Sequence, residues 1–157
     1  MPEPATSCTD GDLALMQAAR AMTETVRSRA AGAERNRRLH RETHEALRDG
    51  GFYKIQMPAR YGGLEMSHRT MLDVSVELGR GCGSTAWIFS NIAAQNGIVA
   101  MASRQAQDDV WAADNDACTA SSFPARGGRV ERVAGGIVAN GGWGFASGVD
   151  WADLNNM

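Results

Sequence analysis

Three serines near the end of the chain are the side chains best placed to do chemistry. Ser121 and Ser122 are adjacent, and Ser147 follows in the run WGFASG. A serine hydroxyl can act as a nucleophile, but the sequence has no GxSxG run and no set of histidine and acidic partners suited to a triad. Two interpretations remain open: these hydroxyls donate to a bound ligand, or they are satisfied within strands of the protein.

Tryptophans and histidines are the other candidates for a site. Trp87 and Trp143 are flanked by small or hydroxyl-bearing residues, and each is either a core side chain or one wall of a pocket for a planar ligand. His40 and His44 are four residues apart and could share one face of a helix. No third metal ligand lies nearby and the HExxH pattern is absent, so we expect two exposed histidines and no metal site.

The charge pattern argues against nucleic acid and membrane surfaces as partners. The chain is 43% hydrophobic and 22% charged, with a net charge of -2, which gives no electrostatic footprint for a polyanion. A local basic cluster is interleaved with Glu34, Glu42 and Glu45, and its members are Arg35, Arg37, Arg38 and Arg41. We expect ion pairs on a solvated helix face there, not a phosphate site.

Cysteine usage and the N-terminal residues indicate a reducing compartment. Cys8, Cys82 and Cys118 are odd in number and far apart, and no CxxC pair is present. This pattern favours neither a disulfide framework nor a structural zinc site. The N-terminal run MPEPATSCTDGD has no apolar stretch typical of a signal peptide. We therefore expect a cytoplasmic protein.

An uncharged helix is the element that must position the candidate residues. No charged residue lies between Arg80 and Arg104, and from Ala86 to Ala102 apolar residues fall on every helical face. Such a helix is either buried in a core or spans a membrane. The amides of Gln95 and Asn96 would be costly in lipid, so the pattern favours a buried central helix whose polar side chains face a pocket.

The remaining elements predict an α+β fold. Further helices are expected to begin near residues 10, 34, 67 and 103, with a short extended segment in GFYKIQ, and strands from Ala117 onward with a hairpin at Gly135–Gly136. We therefore divide the chain into a disordered N-terminus (1–9), an all-α domain (10–115) and the start of an incomplete β-domain (116–157). The last region is too short to bury a sheet face by itself.

Three segments together resemble a known family. They read LRDGGFYKIQMPARYGGLEMS, ELGRGCGSTAW and VWAADNDACTASSFPARGGRVERVAGGIVANGGWGFASGVDWAD. From about Ala33 to Asp153 they are similar to the acyl-CoA dehydrogenase fold. More narrowly, they resemble its flavin-dependent monooxygenase branch, which includes the oxygenase components of two-component aromatic hydroxylases and DszC-like enzymes. Acyl-CoA dehydrogenases carry a TEPxxGSD-like stretch where this chain reads TASSFPARGG, and this difference favours the monooxygenase branch.

The resemblance implies both an activity and its partners. The implied protein is a monooxygenase that takes reduced flavin (FMN or FAD) from a separate flavin reductase and, through a C4a-hydroperoxyflavin, transfers oxygen from O2 to a small organic substrate. Family members are homotetramers with a β-barrel-like middle domain and a C-terminal helical bundle, and the bundle is absent from this sequence. We therefore expect the chain to be an N-terminal portion that binds flavin weakly and turns over little or nothing by itself.

The resemblance also assigns site residues. Ser147 is the catalytic candidate, because its hydroxyl would bond flavin N5. The residues expected to contact the flavin are Trp87, Ser121, Ser122, Phe123, Ala146, Ser147 and Gly148. Aromatic hydroxylases carry a histidine two helical turns after the tryptophan, where this chain has Gln95. Glutamine cannot titrate near neutral pH, so the substrate class stays open.

Two alternatives compete with this interpretation. One is an acyl-CoA dehydrogenase fragment that binds FAD and is reduced by a CoA thioester. The other is a truncated, non-catalytic helical module that docks a partner through an exposed apolar surface. The second alternative predicts no affinity for flavin.

Overall fold

Helices come first along the chain and short strands follow. The computed structural model describes residues 9–123 and 125–156. The helices are α1 (Asp10–Ala21), α2 (Thr23–Asn36), α3 (Arg41–Asp49), α4 (His68–Gly79), α5 (Gly83–Ala100) and α6 (Arg104–Trp111). The strands are β1 (Thr119–Ser121), β2 (Ala125–Val133), β3 (Gly136–Trp143) and β4 (Leu154–Asn156). The predicted α+β class is confirmed. The expected disorder of residues 1–9 falls, Thr9 apart, outside the described residues, and the domain boundaries stay predictions.

The uncharged helix α5 is the centre of the core, as its sequence predicts. Phe89, Ile92 and Ala93 are fully buried, and the Phe89 ring meets Phe52 edge-on at 6.2 Å. No helix in the described part of the chain is long and apolar enough to cross a membrane. The buried amides of Gln95 and Asn96 bond to neighbouring elements of the protein, so for them the expectation that polar side chains of this helix face a pocket is wrong, whereas Ser84 does line a cavity.

Side-chain oxygens cap the N-termini of three helices at the positions that the sequence predicts. Thr9, Ser67 and Ser103 each accept a hydrogen bond from a backbone N–H in the first turn of α1, α4 and α6, which satisfies a donor that the helix itself cannot pair. At α5 the residue types favour Ser84 as the cap, but this prediction is wrong by two residues: the helix begins at Gly83, and its N-cap residue is Cys82.

Three other local predictions are wrong. The helix expected from residue 34 is the end of α2, which stops where Arg37 adopts the left-handed conformation (φ 53°), and α3 begins only at Arg41. The GFYKIQ segment forms a short 3₁₀ helix in place of extended backbone. The apolar pattern of the helix that starts at residue 67 predicts that Leu72 and Val76 face inward, but they are 51% and 58% exposed, because α4 presents a neighbouring face to the core.

The strands form two separate pairs. β2 and β3 make an antiparallel hairpin whose turn is Ala134–Gly135, since Gly136 already pairs with Val133. The predicted hairpin is confirmed, with its turn one residue earlier than expected. β1 runs parallel to β4, with Ser121 opposite Asn156. Asn96 of α5 joins β1 to the helices: its Oδ1 accepts from the N–H of Thr119 at 3.2 Å and from its hydroxyl at 2.9 Å.

Candidate functional site

Trp87 and Ser147 are brought together by the fold. The indole Nε1 of Trp87 donates to Oγ of Ser147 at 2.9 Å. Trp87 lies near the start of α5 and is 61% exposed, whereas Ser147 lies in the loop that follows β3. Since the serine oxygen accepts the indole proton, its own hydrogen can point toward a third group. Among the described residues, no acceptor takes that hydrogen.

The loop that carries Ser147 is held against α5 by a glycine. Gly148 has φ 89°, and a Cβ added there would lie 2.9 Å from Cγ1 of Ile92. Both the left-handed backbone and the close approach to the helix require glycine. Phe145 also has a positive φ, 61°, and its side chain is 95% exposed. The loop therefore seats its backbone on α5 and presents an aromatic ring to solvent.

Two adjoining cavities meet at this contact. One has a volume of about 400 Å³ and lies between the end of α2 and the start of α5, with Trp87 in its wall. The other, of about 230 Å³, is lined by the loop residues Ala146, Ser147 and Gly148. The residues that line both cavities are Arg37, Arg38, Leu39 and Ile88. The Trp87–Ser147 hydrogen bond therefore lies where the two spaces meet.

The residues predicted from the first strand lie apart from these cavities. Ser122 donates its hydroxyl to the carbonyl oxygen of Gly144 at 2.6 Å, which ties the end of β1 to the loop that carries Ser147. Ser121 ends β1, and Phe123 is 65% exposed. None of the three lines either cavity. Their contacts with a flavin stay predictions.

Gln95 faces the strands. It is buried, and its Oε1 lies 3.4 Å from Nδ2 of Asn156 on β4. It lines neither cavity, although it is two helical turns beyond Trp87 on α5. Its amide therefore takes part in the contact between α5 and the β1–β4 pair.

Arginines line the site, which the sequence interpretation did not anticipate. The ion pairs expected between the basic cluster and its interleaved glutamates are wrong: within residues 9–123 and 125–156, no carboxylate pairs with Arg35, Arg37, Arg38 or Arg41. The guanidinium of Arg41 instead lies over the ring of Trp151, 5.7 Å from its centroid. The left-handed turn at Arg37 separates the cluster from the helix face that the sequence suggests, and periodicity alone does not reveal such a turn.

His44 is buried, so its predicted exposure is wrong. Its ring stacks on Trp151 at 4.5 Å, and Nδ1 lies 3.2 Å from the Tyr53 hydroxyl. Burial, reinforced by the nearby charge of Arg48, lowers the pKa of His44 below 6.5. Burial also raises the pKa of the Tyr53 hydroxyl. This neutral stack fixes Trp151, and with it the end of the loop that carries Ser147.

A family model and a curated relative both match this chain over most of its length. A family model described as "Acyl-CoA dehydrogenase, N-terminal domain" matches residues 9–113. The chain is 41% identical over 128 residues to the oxygenase component of p-hydroxyphenylacetate 3-hydroxylase from Acinetobacter baumannii, covering 82% of this chain and 30% of that protein.

Solved structures agree with the sequence match. The HsaA monooxygenase from M. tuberculosis superposes with a TM-score of 0.87 at 32% identity, over 92% of this chain and 39% of that one. XiaF from Streptomyces sp., solved with FADH2 and glycerol, superposes with a TM-score of 0.85 at 29% identity, over 92% and 37%. The chain thus spans about a third of the length of these relatives.

Proposed function

The chain belongs to the acyl-CoA dehydrogenase family through its N-terminal domain, and from this premise we propose that it is the N-terminal portion of a flavin-dependent monooxygenase. The relatives described above are named oxygenase component and monooxygenase, and one was solved with FADH2. The proposed role of the whole protein is to use reduced flavin and O2 to oxygenate a small organic substrate.

The Trp87–Ser147 contact is the observation that supports flavin binding most directly. It places a hydroxyl with an available hydrogen at the boundary of two cavities, of which the larger, about 400 Å³, falls within the roughly 300–1,000 Å³ typical of small-molecule sites. Most such sites combine an apolar wall with a few polar groups. Here Leu39 and Ile88 provide the apolar wall, so the residues present fit a planar, partly polar ring.

Each residue of the site has a distinct part in this proposal. A bound reduced flavin supplies the electrons for oxygen activation. With reduced flavin bound, the Ser147 hydroxyl would hold a hydrogen bond with the ring nitrogen N5, which carries a hydrogen in the reduced state, and Trp87 would fix the direction of that hydroxyl by donating to its oxygen. Gly148 keeps the loop on α5, and the apolar side chains of Leu39 and Ile88 would keep water from that side of the ring, which would limit unproductive loss of peroxide.

The proposed partners follow from the named relatives. An oxygenase component requires a separate flavin reductase to supply its reduced flavin, and the relatives' names point to small organic substrates. We further propose a homotetramer in the cytoplasm, without nucleic acid or membrane partners. The proposal covers both FMN and FAD as the flavin.

Flavin binding can be measured on the 157-residue chain itself. We expect weak, saturable binding of anaerobically reduced FMN or FAD, detected as a shift of the Trp87 indole signal in ¹⁵N-correlated NMR spectra. Ser147→Ala should weaken binding by roughly 2- to 13-fold, the equivalent of about 0.5–1.5 kcal/mol for one hydrogen bond. Ser28→Ala is a matched control, because Ser28 lies on α2 and bonds only to the Thr25 carbonyl within the described residues.

The possible outcomes separate the competing functions. Equal effects of Ser147→Ala and Ser28→Ala would remove Ser147 from the site. Reduction of bound FAD by an acyl-CoA thioester would favour the acyl-CoA dehydrogenase alternative. The absence of any response of the Trp87 signal to flavin would favour the non-catalytic module.

A further inference from the structure

A groove rich in arginine adjoins the proposed flavin site. We call it the arginine groove and define it by the turn 37–41 between α2 and α3. Three of the five groove residues are arginines, and none of these has a carboxylate partner among the described residues. Arg20 pairs with Glu77 at 2.9 Å and Lys54 with Asp116 at 2.6 Å, but arginines outside the groove, such as Arg35, also lack a carboxylate partner among the described residues. What distinguishes the groove is that three such guanidiniums lie within five consecutive residues.

A buried indole N–H beside the arginine groove, that of Trp151, lacks a hydrogen-bond partner among the described residues. Leaving such a donor unpaired costs roughly 1–3 kcal/mol, so buried polar groups usually have a partner. Trp151 lines a third cavity, of about 220 Å³, together with Arg38 and Arg41. A water molecule occupies about 30 Å³, so this cavity is large enough for a phosphate or carboxylate group.

The start of α3 adds to the positive character of this cavity. Helix α3 begins at Arg41, and its N-cap residue, His40, offers no side-chain acceptor to the first turn. The unpaired N–H groups and the dipole of a helix N-terminus both attract anions. His40 itself also lines the cavity, but its buried Nε2 lies against Gly32 of α2.

Two carboxylates oppose the arginines. Asp150 lines the third cavity and the cavity of Ser147, and Glu34 lines the cavity of Trp87. The three arginines of the groove leave one net positive charge after these two carboxylates are counted. Because Asp150 lies beside the third cavity, its removal should strengthen anion binding there.

We propose that the arginine groove holds an oxyanion, bound between the guanidiniums of Arg38 and Arg41 and the indole N–H of Trp151. Guanidinium groups bind phosphate and carboxylate oxygens through paired, charge-assisted hydrogen bonds. Arg38 and Trp151 also line the cavity of Ser147, so the oxyanion lies next to the proposed flavin. The oxyanion site itself depends only on these residues. The two molecules that could carry the oxyanion, the flavin through its phosphate or the substrate through a carboxylate, depend on the proposed function.

Inorganic phosphate is the direct probe. In a titration of the 157-residue chain, the indole N–H signal of Trp151 should shift and saturate. Arg38→Gln and Arg41→Gln should each weaken binding by about tenfold or more, as expected for losing hydrogen bonds between charged groups. Asp150→Asn should strengthen it. Arg35→Gln is the matched control, since Arg35 is exposed, lacks a carboxylate partner among the described residues and lines none of the three cavities.

These measurements distinguish a specific oxyanion site from non-specific electrostatic attraction of phosphate to exposed arginines. A Trp151 signal that ignores phosphate, or a loss with Arg35→Gln equal to that with Arg38→Gln, would overturn the proposal. Trp151→Phe keeps the aromatic ring and removes the N–H, so it should also weaken phosphate binding. Circular dichroism of each variant checks that the fold is retained, which the exposure of these arginines leads us to expect.

Competition experiments identify the source of the oxyanion. Displacement of phosphate by FMN but not by riboflavin assigns the site to the flavin phosphate, and displacement by benzoate assigns it to a substrate carboxylate. A Trp151 response to phosphate without a Trp87 response to FMN would keep the oxyanion site and remove the flavin proposal. A Trp87 response to FMN with an unresponsive Trp151 would remove the oxyanion site alone.

Discussion

Replacing Asn96 by leucine should detach β1 from α5 while keeping the size of the side chain. The Asn96 amide donates to the carbonyl oxygen of Tyr53 at 2.9 Å and accepts from the N–H and the hydroxyl of Thr119. The side chain is buried, so water cannot readily replace these bonds. Leucine would leave two backbone groups unpaired, the Tyr53 carbonyl and the Thr119 N–H, whereas the hydroxyl can rotate toward another acceptor.

The expected cost is a large part of the stability of the fold. Each unpaired buried group costs roughly 1–3 kcal/mol, so the free energy of unfolding should fall by about 2–6 kcal/mol for the two groups. A typical protein has about 5–15 kcal/mol in total. At about 2–4 °C per kcal/mol for a chain of this size, Tm should fall by roughly 4–24 °C in thermal unfolding followed by circular dichroism.

Asn91→Leu provides the control on the same helix. Asn91 donates only to the Trp87 carbonyl within α5 and is half-buried, so its loss should change the free energy of unfolding by less than about 1 kcal/mol. Asn96→Asp keeps the acceptor for Thr119 but removes the donor to Tyr53, and it should also destabilise the fold. If Asn96→Leu and Asn91→Leu lowered stability equally, the bonds of Asn96 would not be what joins β1 to the helices.

Three further predictions concern pH, thiol reactivity and the loop. The pKa of His44 is lower in the fold than its ordinary value of 6.5. The unfolded chain therefore binds the proton more readily, and stability should fall as pH drops below about 6.5. His44→Phe keeps the stack and should flatten this pH dependence in urea titrations at several pH values, whereas an unchanged slope would contradict the prediction. Burial raises the pKa of Cys118 to about 12, so peptide mapping should show maleimide labelling of Cys118 far slower than of the half-buried Cys82. Gly148→Ala should lower the free energy of unfolding by about 2–4 kcal/mol, because alanine is strained in the left-handed conformation and its Cβ would clash with Ile92. Urea unfolding measures this loss, and a loss below about 1 kcal/mol would mean that the loop does not rest on α5.

Local signals in the sequence predict most of the elements. Cap residues such as Ser67 and Ser103 determine where helices begin, and the glycine pair determines the hairpin, because both effects depend on neighbouring residues only. The turn at Arg37 carries no such signal, since arginine seldom adopts a positive φ. The phase of α4 was also misjudged, because Leu72 and Val76 are apolar but lie on an exposed face.

The candidate site could be predicted only in part. The WGFASG run and its tryptophan partner follow from the family resemblance, and the fold places Trp87 within hydrogen-bond distance of Ser147. The stack of His44 on Trp151 joins residues more than a hundred positions apart, so no local pattern contains it. The arginine groove was missed for a related reason: interleaved charges suggest ion pairs on a regular helix, and the turn removes the regular spacing that such pairs need.

Helix α5 explains why the site and the core are not independent. Asn96 fixes β1 near the end of the helix, and nine residues earlier, about 14 Å along the axis, Trp87 holds Ser147. Between them Ile92 lies in the core and also contacts Gly148, so one side chain contributes to the packing of the helices and sets how closely the Ser147 loop approaches α5. A charged residue at a buried position of this segment, such as 89, 92 or 93, would lie in the core without a partner, which is costly. The lack of charge in α5 is therefore a condition for placing the Ser147 loop as well as for forming the core.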